Sequence, residues 1–346
     1  MAALSAASVE QPRLFAHLLA LDRVKVPPRD LDTSLLRQVL DREWRIQGAE
    51  LVYVPLGFGD HHWRATSRRQ RFFVTVRDLR LDGQATDRRA AVQRLETTFQ
   101  AVRQLKACAR LEFVVPVVPS ASGAMVVRIA SNFAVSVFDW LDIEPSPDPP
   151  PAMAASLIAR LHQSWHANPV PALREDFRIP HRASLESSLA ELTQPWRGGP
   201  YSESARTELL GCHEVVQSTL MEYDALARAA EASSATWCLT HGEPNGGNLV
   251  CDSADNWFLI DWESARIAPP ERDLWELGDS ALARYLEHAG GRPPTTDLLH
   301  LYELWYALAE TSVYLLQFRT PHADDDNMAE SWQNYLRYLP GRHDSS

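Results

Sequence analysis

The sequence predicts an α+β protein, with a sheet and a helix in its N-terminal part and mainly helices in its C-terminal part. Three apolar runs rich in β-branched residues, at 113–118, 124–130 and 133–138, are spaced as antiparallel hairpins. The stretch 144–151 then holds five prolines in eight residues, which excludes helix and central strand there. After this break, apolar residues recur at helical spacing, so the chain changes character near residue 144.

Composition excludes several classes of partner. The chain has 346 residues, 45% of them hydrophobic, and fits one or two domains. Its net charge of −11 argues against nucleic acid and anionic membrane surfaces and suits a cationic ligand. We find no apolar stretch approaching the ~20 residues of a membrane span, no signal peptide and no Cys-x-x-Cys pairing. We therefore expect a cytoplasmic protein without nucleic-acid or membrane partners.

The N-terminal part is predicted to combine strands with two helices. Residues 1–27 are expected to be a loosely held leader with a short helical patch near 14–21. Asp32, Thr33 and Ser34 offer caps for the first helix. Helices are predicted at about 35–44 and 86–108, and strands at 51–54, 61–65 and 71–76. The glycines of Gly57-x-Gly59 lie between two of these strands, where backbone N–H groups are able to approach phosphates.

The C-terminal part is predicted to be helical with an aromatic core. Helices are expected at about 152–166, 183–193, 202–231, 273–289 and 296–319. Aromatic residues spaced by three or four positions near the C-terminus favour core packing, with an aromatic wall for a ligand as the alternative. They are Tyr302, Trp305, Tyr306, Tyr314, Phe318, Trp332, Tyr335 and Tyr338.

Residues 239–276 carry the chemistry that the sequence predicts. Gly242 and Pro244 exclude a helix after His241, so Glu243 is expected on a loop. Asn248 begins a predicted hairpin that ends at Asp261, which brings the two side chains to the same end of two paired strands. Oxygen ligands of this kind suit Mg²⁺ that carries nucleotide phosphates, and a carboxylate on the loop suits an attacking hydroxyl.

This segment resembles the catalytic segment of the aminoglycoside phosphotransferase family, in which His-Gly-Asp-x-x-x-x-Asn precedes Ile-Asp-Trp/Phe. The continuation Ala-Pro-Pro-Glu-Arg-Asp-Leu at 268–274 is most similar to the spectinomycin phosphotransferase group. The resemblance covers about residues 30–320 and implies a bilobal protein-kinase-like fold. It implies an N-lobe at 1–136, a hinge at 137–142, and a helical C-lobe with catalytic loop and acceptor site at 143–346.

The resemblance also implies roles for individual residues. Glu243 would orient or deprotonate the substrate hydroxyl, His241 would brace the loop, and Asp273 would hold the catalytic loop through hydrogen bonds. Asn248 and Asp261 would bind Mg²⁺. Gly57 and Gly59 would lie over the phosphates of the nucleotide, and Thr75 and Arg77 would stand at the lysine position. The backbone of Val137 and Asp139 would lie beside the adenine, with Phe138 or Trp140 near its ring.

Two departures from the family pattern concern activity. Glu243 stands where the family has Asp, and its extra methylene moves the carboxylate by about 1 Å, a misplacement that costs up to ~100-fold in rate. The phosphate-binding lysine is replaced by Thr75, and only two of the 34 basic residues in the chain are lysines. Arg77 lies on the same strand face as Thr75. Arg77, His61 or His62 could replace the lysine, with Glu96 as a partner; Arg77 as a solvated charge at the strand end is the alternative.

The resemblance therefore implies an enzyme that transfers phosphate from ATP, or GTP, with Mg²⁺ to an alcohol group. The acceptor would be a small cationic aminocyclitol or aminoglycoside, contacted by Glu310 and by the acidic residues 324–326, for which a solvated acidic turn is the alternative. The biological role would be antibiotic resistance or metabolism. One alternative is a kinase of another small molecule, such as choline, homoserine or a macrolide. A second is a nucleotide-binding pseudoenzyme without turnover.

Overall fold

The α+β architecture predicted from the sequence is confirmed. The computed structural model describes residues 26–56, 60–68, 70–80, 82, 87–143, 150–232, 236–244, 247–289 and 293–342. The predicted leader helix near 14–21, the Gly57-x-Gly59 turn and most of the proline-rich stretch lie outside these residues. In the part described, an antiparallel sheet with two helices is followed by a mainly helical half.

The N-terminal half is a five-stranded antiparallel sheet in the order β1-β2-β3-β5-β4. Helix α1 begins after Asp32, whose carboxylate accepts the N–H of Ser34 at 2.7 Å, as the capping residues predicted. Helix α1 packs on one face of the sheet and helix α2 on the other. The elements are α1 Thr33–Trp44, β1 Glu50–Val54, β2 His61–Ser67, β3 Gln70–Asp78, α2 Arg88–Ala109, β4 Val127–Ile129 and β5 Phe133–Asp139.

The helical half follows the predicted pattern with local departures. Its helices are α3 Pro151–Ala167, α4 Arg182–Ala190, α5 Ser202–Glu231, α6 Asp279–Ala289, α7 Thr296–Arg319 and α8 Asp326–Tyr338. Its short strands are β6 Cys238–Thr240, β7 Leu249–Cys251, β8 Trp257–Leu259 and β9 Arg266–Ala268. The aromatic residues near the C-terminus are mostly core: Tyr302, Tyr314, Phe318 and Tyr335 are buried.

Two predicted elements are wrong. Residues 113–118 form no strand; they make only isolated bridges, of Val114 with Leu259 and of Val117 with Phe138, because Pro116 lacks the N–H that a ladder needs. The helix predicted over 273–289 begins at Asp279, and the preceding Pro270–Asp273 is a 3₁₀ turn. This turn matters for the site, since it places Asp273 under the loop that follows β6.

Candidate active site

The loop after β6 is held by one buried carboxylate. Oδ2 of Asp273 accepts the backbone N–H of His241 at 2.8 Å, and Oδ1 accepts that of Gly242 at 2.6 Å. Gly242 has φ +107°, and a Cβ there would lie 2.4 Å from the Arg272 guanidinium. Only glycine fits this position without strain. The structure therefore brings Asp273 to the loop as the sequence predicted, and the next residue of the loop is Glu243.

His241 braces the same loop through a defined tautomer. Its Nε2 lies 2.7 Å from the carbonyl of Ile260, which only accepts, so Nε2 carries the hydrogen. Its Nδ1 accepts the backbone N–H of Glu243 at 3.3 Å. Burial lowers the pKa of His241 to about 4, which keeps the ring neutral and this pair of hydrogen bonds intact at neutral pH. The ring packs edge-on against Trp262.

The hairpin of β7 and β8 brings Asn248 and Asp261 to one end of the two strands. Leu249 pairs with Leu259, and the N–H of Ile260 donates to the carbonyl of Asn248 at 3.0 Å. The side-chain nitrogen Nδ2 of Asn248 donates to the carbonyl of Glu243 at 2.9 Å, which leaves Oδ1 as the atom of the amide that is able to coordinate a cation. Asp261 adopts a left-handed backbone conformation, φ 63°, directly after the hairpin.

Carboxylates crowd this end of the hairpin. Asp261 keeps access to solvent, yet the protein packed around its carboxylate and the charges of Glu263 and Glu243 raise its pKa well above the usual value. Burial, followed by the charge of Glu263, also raises the pKa of Glu243. A site that repels further negative charge and raises carboxylate pKa values favours a cation.

Arg77 is the cation that the structure places in this cluster. Its Nε donates to both carboxylate oxygens of Asp60, at 3.0 and 3.2 Å, and its terminal nitrogen pairs with Glu263. Burial lowers the pKa of Arg77, but the charges of Asp60 and Glu263 outweigh this and raise it well above its usual value. The interpretation of Arg77 as a solvated strand-end charge is therefore wrong.

Glu96 is not the partner of Arg77. Its Oε2 accepts the backbone N–H groups of Met125 and Val126, at 2.8 and 3.0 Å, so it binds the segment directly before β4 instead. Asp60 and Glu263 were not predicted as site residues, although each lies near a predicted site residue in the sequence. Asp60 follows the Gly-x-Gly turn, and Glu263 is two residues after Asp261.

The other candidates for the lysine position carry no charge at neutral pH. Thr75 pairs with His62 across β2 and β3, and its hydroxyl lies 3.3 Å from Nδ1 of that ring. Burial lowers the pKa of His62 to about 4. Burial also lowers the pKa of His61, whose Nδ1 lies 3.1 Å from the Tyr53 hydroxyl.

The predicted adenine contacts lie at the end of β5. The carbonyl of Val137 accepts the N–H of Val118 at 2.7 Å, so this carbonyl is already used within the protein. Asp139 ends the strand, pairs in register with Phe72 and is solvent-exposed. A role in nucleotide binding stays a prediction for both residues.

An aromatic surface with acidic neighbours lies close to Glu243. Trp275 and Tyr306 have ring centroids 5.3 Å apart, and Tyr306 packs edge-on against Tyr338 at the same separation. Burial, followed by the charges of Glu310, Tyr338, Glu243 and Glu276, raises the pKa of Tyr306 well above its usual value. The structure thus brings Glu310 close to this surface.

Two of the acidic residues at 324–326 make local contacts within the protein, and their contact with an acceptor stays a prediction. Asp324 accepts the hydroxyl hydrogen of Tyr201 at 3.1 Å, and Asp325 accepts the N–H of Met328 at 2.9 Å as the N-cap of α8. The capping interaction, rather than an acceptor molecule, explains the acidic side chain of Asp325.

Among the residues that the structure describes, no three His, Cys, Asp or Glu side chains are grouped closely enough to hold a metal by themselves. In the same residues, no helix is long and apolar enough to cross a membrane. The roles of Asn248 and Asp261 as metal ligands stay a prediction. Such a pair suits Mg²⁺, which keeps several waters and takes further oxygens from substrate phosphates.

Comparisons with known proteins agree with this arrangement. Residues 50–313 match the model of the phosphotransferase enzyme family. The protein StrN of Streptomyces griseus is 34% identical over 247 residues, which cover 66% of this chain and 72% of StrN. A crystal structure of spectinomycin phosphotransferase in complex with ADP and spectinomycin has a TM-score of 0.66 at 12% identity, covering 89% of this chain and 95% of that one.

A microcompartment-associated aminopropanol kinase has a TM-score of 0.57 at 15% identity, covering 89% of this chain and 95% of its own. At these identities the two structures show the fold alone. The bilobal protein-kinase-like fold that the sequence resemblance implied is thereby confirmed.

Proposed function

The chain belongs to the phosphotransferase enzyme family, the aminoglycoside phosphotransferases, and we propose that it transfers the γ-phosphoryl group of ATP, with Mg²⁺, to a hydroxyl of a small cationic aminocyclitol or aminoglycoside-like molecule. One observation carries this proposal. The loop held by Asp273 presents Glu243, and the amide of Asn248 binds the carbonyl of the same residue, so the base candidate and a metal-ligand candidate are fixed to each other.

Glu243 would accept the proton of the attacking hydroxyl or orient that hydroxyl. Its main chain is fixed at both ends, by His241 through the N–H and by Asn248 through the carbonyl. Burial raises the pKa of Glu243, which makes its carboxylate a stronger base than that of an ordinary glutamate. A fixed main chain with a longer side chain is how glutamate would serve where the family has aspartate.

Asn248 and Asp261 would hold Mg²⁺ through Oδ1 and the carboxylate. Both are hard oxygen donors at one end of the hairpin, and the neighbouring Glu263 and Glu243 add negative charge. The residues therefore fit the ion. Bound Mg²⁺ would neutralise charge on the phosphates and orient them.

Arg77 would supply the positive charge that lysine supplies elsewhere in the family. It lies on β3, and its guanidinium is buried between Asp60 and Glu263, close enough to lower the pKa values of both Glu243 and Asp261. Phosphate oxygens would take the place of Glu263 on the guanidinium, since its planar fork binds carboxylate and phosphate oxygens alike. Gly57 and Gly59 would lie over the phosphates.

The aromatic surface of Trp275 and Tyr306 supports a cationic acceptor. A cationic amine is attracted to aromatic faces, and here it would also meet the field of Glu276 and Glu310. The overall charge of −11 adds long-range attraction for such a molecule.

The test is transfer from γ-labelled ATP to a panel of aminocyclitols, aminoglycosides, choline, homoserine and a macrolide. We expect transfer to a cationic acceptor, and we expect Glu243→Gln to reduce it about 100-fold or more while ATP still binds. Glu287→Gln is the matched control, because Glu287 is exposed and pairs only with Arg284 in the described residues.

Transfer to homoserine alone, which has no net charge at neutral pH, would contradict the cationic acceptor. ATP binding without turnover on any acceptor would instead support the pseudoenzyme.

A further inference from the structure

A buried histidine outside the predicted site contacts the carboxylate that holds the catalytic loop. His162 lies on α3 and is 3% exposed. Its Nε2 is 3.0 Å from Oδ2 of Asp273, and its Nδ1 is 2.9 Å from the hydroxyl of Tyr285 on α6. Its thiol neighbour Cys238 is the first residue of β6, the strand that leads into the loop.

The hydrogen bonds of Asp273 fix which atom donates. The carboxylate only accepts, so Nε2 of His162 carries a hydrogen in either charge state of the ring. Oδ2 then receives two donors, the His241 N–H and His162, while Oδ1 receives the Gly242 N–H. His162 is thus the side-chain donor that sets the plane in which the carboxylate meets the two loop amides.

Burial makes this donor important. Asp273 is 2% exposed, and burial by itself raises the pKa of its carboxyl group. The hydrogen bond and charge of His162, with smaller contributions from His241 and Arg272, lower this pKa below its usual value. An ionised carboxylate offers acceptor sites to all three donors, but a protonated one would turn a hydrogen toward one of them. His162 therefore keeps Asp273 in the form that binds both amides.

We propose that His162 is a positioning residue for phosphoryl transfer: by donating from Nε2 to Asp273, it sets the height and orientation of the loop that presents Glu243. The catalytic consequence rests on the proposed function, while the effect on the loop does not. Tyr285 holds the far side of the ring, so α6 also contributes to the position of the loop.

Two polar variants separate this role from packing. The amide nitrogen of glutamine reaches approximately where Nε2 of histidine lies, and the amide of asparagine reaches where Nδ1 lies. His162→Gln therefore keeps a donor for Asp273, and His162→Asn keeps a partner for Tyr285 only. Each puts an amide in place of the ring, so each is the control for the other.

The first readout is hydrogen–deuterium exchange in a peptide covering 238–243, with a peptide covering β5 as reference. We expect His162→Asn to speed exchange of the loop peptide at least tenfold relative to β5, and His162→Gln to stay within threefold of wild type. Equal exchange in the two variants, or a parallel rise in both peptides, would overturn the proposal.

The second readout is steady-state kinetics. We expect His162→Asn to lower kcat at least tenfold with the KM for nucleotide within threefold, and His162→Gln to recover kcat. Equal kcat in the two variants would overturn the catalytic half. Should the wild type transfer phosphate to no acceptor, the proposed function fails, and exchange still decides whether His162 positions the loop.

Discussion

Replacing Arg77 by alanine removes the cation from the carboxylate cluster of the proposed nucleotide site. The guanidinium bridges Asp60, which directly precedes β2, and Glu263, which follows the hairpin. Its loss therefore has two consequences. Two carboxylates lose their counter-charge, and the proposed phosphate contact disappears.

The structure sets the size of both effects. Asp60 is 7% exposed, and removing the partner of a buried charge costs about 3–5 kcal/mol. The side chain of Glu263 is 29% exposed, so solvent screens part of its loss and we expect the lower end, about 3 kcal/mol of unfolding free energy. Loss of a charge-assisted phosphate contact is worth about 1.5–3 kcal/mol, which weakens ATP binding roughly 10- to 100-fold.

Denaturant unfolding measures the first effect, and titration calorimetry with ATP and Mg²⁺ measures the second. Arg182→Ala is the matched control, since Arg182 also bridges two carboxylates, Asp224 at 2.5 Å and Glu186 at 2.7 Å, but on the partly exposed surface of the helical half. We expect this control to lose no more than about 1 kcal/mol and to bind ATP as wild type does.

A double variant distinguishes contact from charge balance. The double variant Arg77→Ala with Glu263→Gln has no unpaired carboxylate at position 263. If ATP binding were weakened only because that carboxylate repels the phosphates, the second substitution would restore it. We expect ATP binding to remain weak. Wild-type affinity in Arg77→Ala, or full recovery in the double variant, would refute a phosphate contact by Arg77.

Three further outcomes are expected. Asp261→Asn should raise the Mg²⁺ concentration needed for half-maximal ATP binding about tenfold or more, since it removes one of the two proposed ligands; an unchanged requirement would remove Asp261 from the metal site. Gly242→Ala should lower the melting temperature, because Gly242 has φ +107° and the Arg272 guanidinium lies close to it. The control Gly211→Ala, in open space within α5, should raise the melting temperature slightly. Equal shifts would contradict a close contact between residue 242 and Arg272. The pKa of His241 is about 4 in the folded chain against an ordinary 6.5, so as the pH falls the unfolded chain binds a proton first, and about 3 kcal/mol of the stability present above pH 6.5 is lost towards pH 4. The unfolding free energy of wild type should therefore fall more steeply between these pH values than that of His241→Gln. Parallel curves would contradict a neutral buried ring.

The elements that the sequence predicted best are those with a strong local signal. Helix α2, predicted at about 86–108, spans Arg88–Ala109, and α7, predicted at 296–319, has the predicted bounds. The hairpin between Asn248 and Asp261 was predicted from polar turn residues between two apolar runs. In each case residues close in the sequence determine the structure, through one buried face or one tight turn.

The features that the sequence did not predict depend on contacts between segments that are distant in the sequence. The run at 113–118 has the composition of a strand, but Pro116 lacks the N–H that a ladder needs, so the run makes isolated bridges only. Arg77 has a partner 17 residues before it and another from the helical half, and nothing in the local pattern of β3 indicates either. The role of His162 could not be predicted from the sequence, because only folding brings this histidine on the buried face of a helix next to Asp273.

The hydrogen bonds of Asp273 have a consequence for the order in which the protein is made. The loop at 241–243 takes its shape from a carboxylate that lies 31 and 32 residues further along the chain. A nascent chain that has emerged from the ribosome only as far as Asp261 already contains every residue of the proposed base and metal pair, and yet it lacks the group that shapes their loop. Phosphate transfer by the growing chain should therefore begin only once the segment carrying Asp273 has emerged and packed against α3.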